Sequence, residues 1–521
     1  MSTQIDKTIS IMDTTLRDGE QTPGVAYTPS EKLHMARMLL TDVNVDRVEI
    51  ASARVSEGEL RGALRVTDWA REAGLIERVE MLGFCDKERS VDWIVRAGGG
   101  CINLLAKGSE HHCRQQLGMT PQKHRENIIQ TVDYALHKDL RVNVYLEDWS
   151  NGVRDNFSYV SDIMDELHNF QIDRILLADT LGVLSPDEVR KLITLMTTGW
   201  PSAQFDFHGH NDYGFATANS IVAIQSGTSG IHASVNGLGE RAGNTSLAEI
   251  VTAITDHTGY DTNINESRLA AISTVVETFS GKNISENSPI LGHDVFTQTA
   301  GIHADGDAKG GLYATRLSPD RFGRERRYAL GKLSGKASLD HNLDKLGINL
   351  SDSNRNKVLT RIIELGDKKH TVVPEDLLMI IADVLKTPAE HLVKINTYTI
   401  NVSSDSPPEA TVAISYKGRT SIAAATGDGG YDAFMRAVKE AVLEYGIEIP
   451  QLTDYRVRIP PGGRTEALVE TLIRWNETKV NPGFFTVGVD SDQTAAAVIA
   501  TEKMLNIVAY EGGKLAEEAK K

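Results

Sequence analysis

Along the first 260 residues, short β-branched runs alternate with longer amphipathic stretches whose apolar positions recur every three to four residues. The runs predict strands at 9–12, 47–51, 78–84, 101–106, 141–146, 174–178, 204–207 and 230–235. Helical patterns follow each of them, near 30–43, 57–73, 87–97, 121–138, 157–169, 185–197, 213–226 and 246–257. Thr28-Pro29-Ser30-Glu31 and Ser185-Pro186-Asp187-Glu188 place a hydroxyl, a proline and acids where helices should begin. Eight strand–helix units in series favour a parallel sheet, and a (β/α)8 barrel of about 250 residues fits the length. The rival, an open doubly wound sheet, usually carries a Gly-rich turn after its first strand. Here that strand runs into Asp13-Thr14-Thr15-Leu16-Arg17-Asp18-Gly19, so a TIM barrel over 1–265 is the expectation.

From 266 to 395 the pattern reads as mainly helical connector subdomains broken by Gly-rich loops. Alternation returns over 396–510, where two strand–strand–helix sets suggest a duplicated α+β domain. The tail 511–521 is charged and expected to fray.

Composition narrows the function. The chain has 521 residues and a net charge of −16, with 55 basic against 71 acidic side chains. Such a balance argues against nucleic acid or an anionic membrane surface as partner, and an anionic substrate then needs a local positive centre. Cys85, Cys101 and Cys113 show no CxxC spacing and read as reduced thiols. The N-terminal residues lack an apolar signal core, and no apolar run reaches about 18 residues. The expectation is a cytoplasmic protein.

In a (β/α)8 barrel the active site lies at the C-terminal strand ends. Those ends carry Arg17 and Asp18, Glu147 and Asp148, Asp179 and Thr180, His208-Gly209-His210-Asn211-Asp212, and Asn236 with the loop to Asn244. Residues i and i+2 of a strand share a side, so His208 and His210 would face one point. With Asp18 they make a two-His, one-carboxylate set with open positions. A bland alternative leaves them as polar loop residues. Mg, Mn, Zn or Co all suit these ligands. Arg17 fits an anion clamp or a structural salt bridge. Glu147 reads as a general base or an ion-pair partner, and Thr180 as a carboxylate donor or a helix cap. Gly237–Asn244 has the wrong spacing for a nucleotide fingerprint, Gly427–Gly430 reads as a plain turn, and His111-His112 reads as exposed.

Three motifs in order resemble the isopropylmalate, homocitrate and citramalate synthase family. They are Asp13-Thr14-Thr15-Leu16-Arg17-Asp18-Gly19-Glu20-Gln21, His208-Gly209-His210-Asn211-Asp212 and Asn236-Gly237-Leu238-Gly239-Glu240-Arg241-Ala242-Gly243-Asn244. The stretches 144–152, 295–301, 427–434 and 455–463 are most similar to its pyruvate-using members. The resemblance implies a condensation of acetyl-CoA with pyruvate, then thioester hydrolysis, at the entry to isoleucine. It implies one divalent metal on Asp18, His208 and His210, with Asn244 close by. Arg17 would steady the alkoxide, Thr180 and Tyr145 would hold the pyruvate, and Glu147 and His303 would move protons. His303, Asp305 and Tyr313, in the connector, would reach over a neighbouring barrel in a homodimer. The last domain would bind a feedback amino acid, isoleucine, with Tyr431, Asp432 and Tyr455 as its contacts. Where close relatives carry an Asn before the Leu-Tyr of the connector loop, this chain has Gly311, which removes any acetyl-CoA contact from that side chain.

Leu82, Leu105 and Tyr145 would line a small apolar pocket for the keto-acid methyl group. An isopropyl group should clash there, which favours pyruvate over 2-oxoisovalerate. The competing readings are a 2-isopropylmalate synthase, a metal-dependent aldolase or carboxylase-type lyase on the same barrel, and a ligand sensor without activity.

Overall fold

A computed structural model describes residues 8–299, 306, 312, 315–346, 348–367, 372, 376–385, 393–458, 469–476 and 484–518. Eight parallel strands close into a barrel in sequence order: β1 (Ser10–Asp13), β2 (Arg47–Ser52), β3 (Val79–Phe84), β4 (Cys101–Lys107), β5 (Arg141–Glu147), β6 (Arg174–Asp179), β7 (Phe205–Gly209) and β8 (Gly230–Ala233). Closure is made by β1 and β8, with Ser10 opposite Gly230 and Asp13 opposite Ala233. The capping signals hold: Thr28 and Ser185 each form a capping box at the head of a helix that opens with proline.

The two-residue period of a strand sorts side chains to opposite faces. One set, including Ile11, Val48, Ile50, Ile102, Leu104, Val142, Val144, Leu177 and Phe207, packs under the surrounding helices as the main hydrophobic core. The other set fills the barrel interior, and much of it is charged. Arg47 pairs with Glu80 at 3.3 Å and closely with Asp206, which also binds Arg174 at 2.7 Å. Gly230 makes room for this carboxylate, since a Cβ there would lie 2.2 Å from Asp206 Oδ1. Asn143 donates to Asn103, and Asn103 to Glu49, both at 2.8 Å.

Local differences from the sequence reading are small. The first helix runs Pro29–Arg37 and widens into a π-turn over Met38–Val43. Two further short helices, Glu110–Gln115 and Trp149–Asp155, follow β4 and β5.

The chain divides into two compact units, Met1–Phe296 with Thr315–Glu325, and Thr297–Ala314 with Arg326–Lys521. In the second, β9 (Thr297–Gln298) pairs with β10 (Arg327–Tyr328), and the helices Lys336–Leu346, Asp352–Asp367 and Leu377–Leu385 supply a small core around Leu339, Leu343, Val358 and Ile362. The C-terminal part corrects the expected strand–strand–helix sets: each has three strands. One sheet is β11 (Lys394–Asn401), β12 (Glu409–Tyr416) and β13 (Arg419–Thr426), followed by the helix Gly430–Leu443. The other is β14 (Leu452–Arg458), β15 (Val469–Trp475) and β16 (Phe484–Asp490), followed by the helix Gln493–Glu518. That helix continues into the segment expected to fray. No helix among the described residues is long and apolar enough to cross a membrane.

Candidate active site and metal centre

The loop after β1 folds back through an Asx turn. Asp13 accepts from the backbone and hydroxyl of Thr15, and the Thr15 hydroxyl receives the Val235 N–H. Burial pushes the Asp13 carboxyl up to about 7, against those two hydrogen bonds. The turn delivers Arg17 and Asp18 to the barrel mouth, both buried. Across from them β7 carries Asp206 and His208, and the next inward position is His210. A backbone bridge sets Asn244 beside His210. The turn that makes this possible needs glycine: Gly243 has φ +86°, and a Cβ would lie 2.0 Å from the Gly237 carbonyl oxygen.

Asp18 Oδ2 lies 3.4 Å from His208 Nε2, and His208 Nε2 lies 3.3 Å from His210 Nε2. The three residues offer donor atoms that all fall within 4.8 Å of one another, the spacing of ligands about 2 Å from a common ion. Asp18 Oδ1 and Asn244 Oδ1 are buried without a hydrogen-bond partner among the described residues. Burial alone would raise the Asp18 pKa; the Arg17 guanidinium and His208 outweigh it and hold the carboxyl well below the usual range. Burial, then His208, pulls His210 down to about 4, so its ring is neutral at pH 7. An anionic carboxylate and a neutral imidazole are the protonation states a divalent cation requires. The donor set fits such an ion. A second trio, Glu286, His293 and Asp294, sits at the surface with both acids exposed.

Arg17 is held in a fork. Its Nε contacts Glu49, Nη1 donates to Asp18 at 2.8 Å, and Nη2 donates to the Tyr145 hydroxyl at 3.2 Å. Burial lowers the Arg17 pKa, yet the two carboxylates outweigh it, so the charge is permanent. Arg17 thus makes buried salt bridges at the same mouth as the proposed ligands. Tyr145 also contacts His232 Nδ1 at 3.0 Å, and His232 Nε2 lies 3.3 Å from Asp206. Burial depresses His232 to about 3 against the pull of Asp206, so the ring is neutral.

Leu82 and Tyr145 join Met12, Leu176 and Ala178 in one apolar cluster, with Leu105 packed against it. The Tyr145 ring meets His208 edge-on, with centroids 5.9 Å apart, so this cluster borders the proposed ligands. Glu147, at the end of β5, forms an ion pair with Lys107 at the end of β4. Lys107 is pinned through its backbone, donating to His124 Nε2 and accepting from Tyr159, both at 3.0 Å. Thr180 accepts from the Asp148 N–H at 2.8 Å, which leaves its hydroxyl hydrogen to be donated elsewhere. His112 is not simply exposed: its Nε2 lies 3.5 Å from Asp148. His303, Asp305 and Tyr313, together with Gly311, lie outside the described residues.

In the second unit Tyr431 and Tyr455 come together, with ring centroids 5.1 Å apart, and Tyr431 bonds Thr501 at 2.7 Å. Asp432 turns to its own helix instead, accepting from the Asp428 N–H at 2.9 Å and pairing with Arg436 at 2.8 Å.

Sequence reasoning missed Glu49, Lys107, Asp206, His232, Leu176 and Ala178. Their signal was present as alternate positions in short, otherwise apolar strands.

Two histidines and a carboxylate gathered at the mouth of a (β/α)8 barrel narrow the class, and sequence similarity identifies it. Residues 8–276 match the HMGL-like family, 290–370 the homocitrate synthase post-HMGL domain-like family, and 371–509 the LeuA allosteric (dimerisation) domain. The (R)-citramalate synthase of Methanocaldococcus jannaschii is 34% identical over 96% of this chain and 99% of its own length. A putative (R)-citramalate synthase of Methanopyrus kandleri is 34% identical over 90% of this chain and 91% of its own. A probable 2-isopropylmalate synthase of the same organism is 33% identical, over 91% and 93%. The chain is an enzyme of the isopropylmalate, homocitrate and citramalate synthase family.

Proposed function

We propose that the chain is an (R)-citramalate synthase, which joins the acetyl group of acetyl-CoA to pyruvate and releases CoA by hydrolysis. Relatives named for citramalate and for isopropylmalate are almost equally similar, so the keto-acid pocket carries the choice. Tyr145 meets His208 edge-on, and Leu82, Leu105, Leu176 and Ala178 cluster around Tyr145. A methyl group suits such a pocket better than an isopropyl group.

Asp18, His208 and His210 would hold a divalent ion, with Asn244 at its edge. When bound, the ion supplies Lewis-acid polarisation of the keto group. Arg17, fixed by Glu49, faces the oxygen on which negative charge develops. Thr180 donates its hydroxyl to the keto-acid carboxylate. Glu147 takes a proton from the acetyl methyl, and the resulting carbon nucleophile adds to the keto carbon. The Lys107 ammonium keeps the Glu147 carboxylate at the mouth during this step. Water then cleaves the thioester. Proton return by His303, and the parts of Asp305 and Tyr313, rest on the family resemblance alone. The match to an allosteric (dimerisation) domain supports a homodimer with an amino-acid site in that domain, near Tyr431 and Tyr455, and the family resemblance makes isoleucine the effector. The setting is cytoplasmic amino-acid biosynthesis.

A panel of 2-oxo acids with a thiol readout of released CoA tests the reading. Pyruvate should give the highest kcat/KM, and isoleucine should depress the rate. A higher kcat/KM for 2-oxoisovalerate would overturn the assignment in favour of isopropylmalate synthesis.

A further inference from the structure

Tyr145 stands where the apolar cluster of Leu82, Leu176 and Ala178 meets the charged interior of the barrel. Its hydroxyl has two partners there, Arg17 Nη2 at 3.2 Å and His232 Nδ1 at 3.0 Å. The direction of each bond follows from what the groups can do. A guanidinium only donates, so the phenol oxygen accepts from Arg17. Asp206, already bound by Arg47 and Arg174, is a carboxylate that only accepts, so the hydrogen of His232 sits on Nε2, 3.3 Å from Asp206 Oδ2. Nδ1 is then a bare acceptor, and the phenol must donate to it. The only hydrogen on the Tyr145 hydroxyl is committed away from the substrate. Of the two parts expected of Tyr145, holding the pyruvate end and lining the apolar pocket, this bonding favours the second, a steric contact with the keto acid.

His232 itself has almost no freedom. It is 1% exposed and packs edge-on against both Tyr145 and His208, with ring centroids 5.4 Å apart in each case. A tyrosine ring anchored at its tip by such a group cannot swing aside to admit a longer side chain. We propose that His232 is a positioning residue that locks Tyr145 as the rigid wall of the keto-acid pocket and thereby sets the discrimination against 2-oxo acids longer than pyruvate. The proposal rests on the reading of that pocket given above. An apolar pocket distinguishes one methylene by about 10–200-fold, and most of that range depends on walls that do not yield.

The test uses the full-length chain and the ratio of kcat/KM for pyruvate to that for 2-oxobutyrate. His232→Asn places an amide oxygen where Nδ1 lies and keeps an acceptor for the phenol. His232→Gln reaches toward Asp206 and leaves the phenol without one. The ratio should fall about tenfold in His232→Gln, mainly through better turnover of 2-oxobutyrate, and stay near wild type in His232→Asn. Tyr145→Phe should lower the ratio by itself and add nothing in the His232→Gln background. Metal content is measured for each variant, because His232 touches His208. A wild-type ratio in metal-loaded His232→Gln overturns the proposal, as does an equal fall in both His232 variants. If His232→Gln does not fold, an unchanged ratio in Tyr145→Phe overturns it instead. Wild-type preference for 2-oxoisovalerate would defeat the proposed function, a different result from an unmoved ratio in an enzyme that prefers pyruvate.

Discussion

Arg47 lies between two buried acids, Glu80 and Asp206; Asp206 also has Arg174, so it is Glu80 that depends on Arg47. Removing one partner of a buried pair leaves the other charge uncompensated, at about 3–5 kcal/mol. Arg47→Met should therefore destabilise the barrel by that amount, read as a lower denaturant midpoint at unchanged slope. His124 gives a pH prediction. Burial, helped by the nearby Lys107 ammonium, lowers it from 6.5 to about 4. Between those pH values the unfolded chain binds a proton that the folded chain refuses. Stability is thus unaffected by this group above 6.5 and falls as pH drops toward 4, by up to about 3 kcal/mol. His124→Gln, whose amide oxygen can still accept the Lys107 N–H, should flatten that fall in unfolding curves measured across the range. The grouping of Asp18, His208 and His210 was legible in the sequence because residues i and i+2 of a strand share a side and strand ends of a barrel share a mouth. The ion pairs beneath them were not. Arg47, Glu49, Glu80 and Asp206 look like interruptions of apolar strands until the barrel closes and turns their alternation into one interior.

The eight barrel strands fall within one or two residues of their expected limits, because β-branched runs bounded by caps and turns leave little latitude. The strands that escaped notice broke the alternation rule. In β13 the small Ser421, Ala423 and Ala425 face the helix while the large Ile422 is 71% exposed, an inverted pattern. In β16 the run Phe484–Val489 is apolar apart from Thr486, so its faces do not alternate, and Gly488 is where the final helix presses in: a Cβ would lie 1.8 Å from the Ala496 carbonyl oxygen. The helix Trp149–Asp155 is too short to show periodicity, yet it backs Glu147 and Asp148. Its Gly152 is pressed on Gly108, and a Cβ would lie 1.9 Å from that carbonyl oxygen. Gly152→Ala must push the helix outward, at about 1–3 kcal/mol of overpacking. Because Glu147 lies two residues before this helix, kcat should fall by more than KM for pyruvate rises, which steady-state kinetics on the native variant would reveal.

At the scale of the chain, the ligands of the proposed ion all belong to the first unit, and the Tyr431–Tyr455 contact to the second. Chelation should accordingly act on one transition only. Loss of an ion held at a hundred times its dissociation constant withdraws about 2.7 kcal/mol from the structure that binds it. Calorimetry with and without a chelator should show the barrel transition moving down and the C-terminal one staying in place; coincident shifts of both would contradict this. The barrel interior itself is divided. Arg17, Asp18, Glu49, Asp206, His208 and His232, on β1, β2, β7 and β8 or the loops that leave them, bind one another, so a change in any of them demands changes in the rest. Leu82, Leu105, Leu176 and Ala178, on β3, β4 and β6, touch through apolar surfaces that a single exchange can reshape. Natural selection can therefore retune what the enzyme accepts by point mutation along one arc of the barrel, while the opposite arc, being jointly constrained, inherits its chemistry unchanged. Descendants of such an ancestor should diverge in diet before they diverge in reaction.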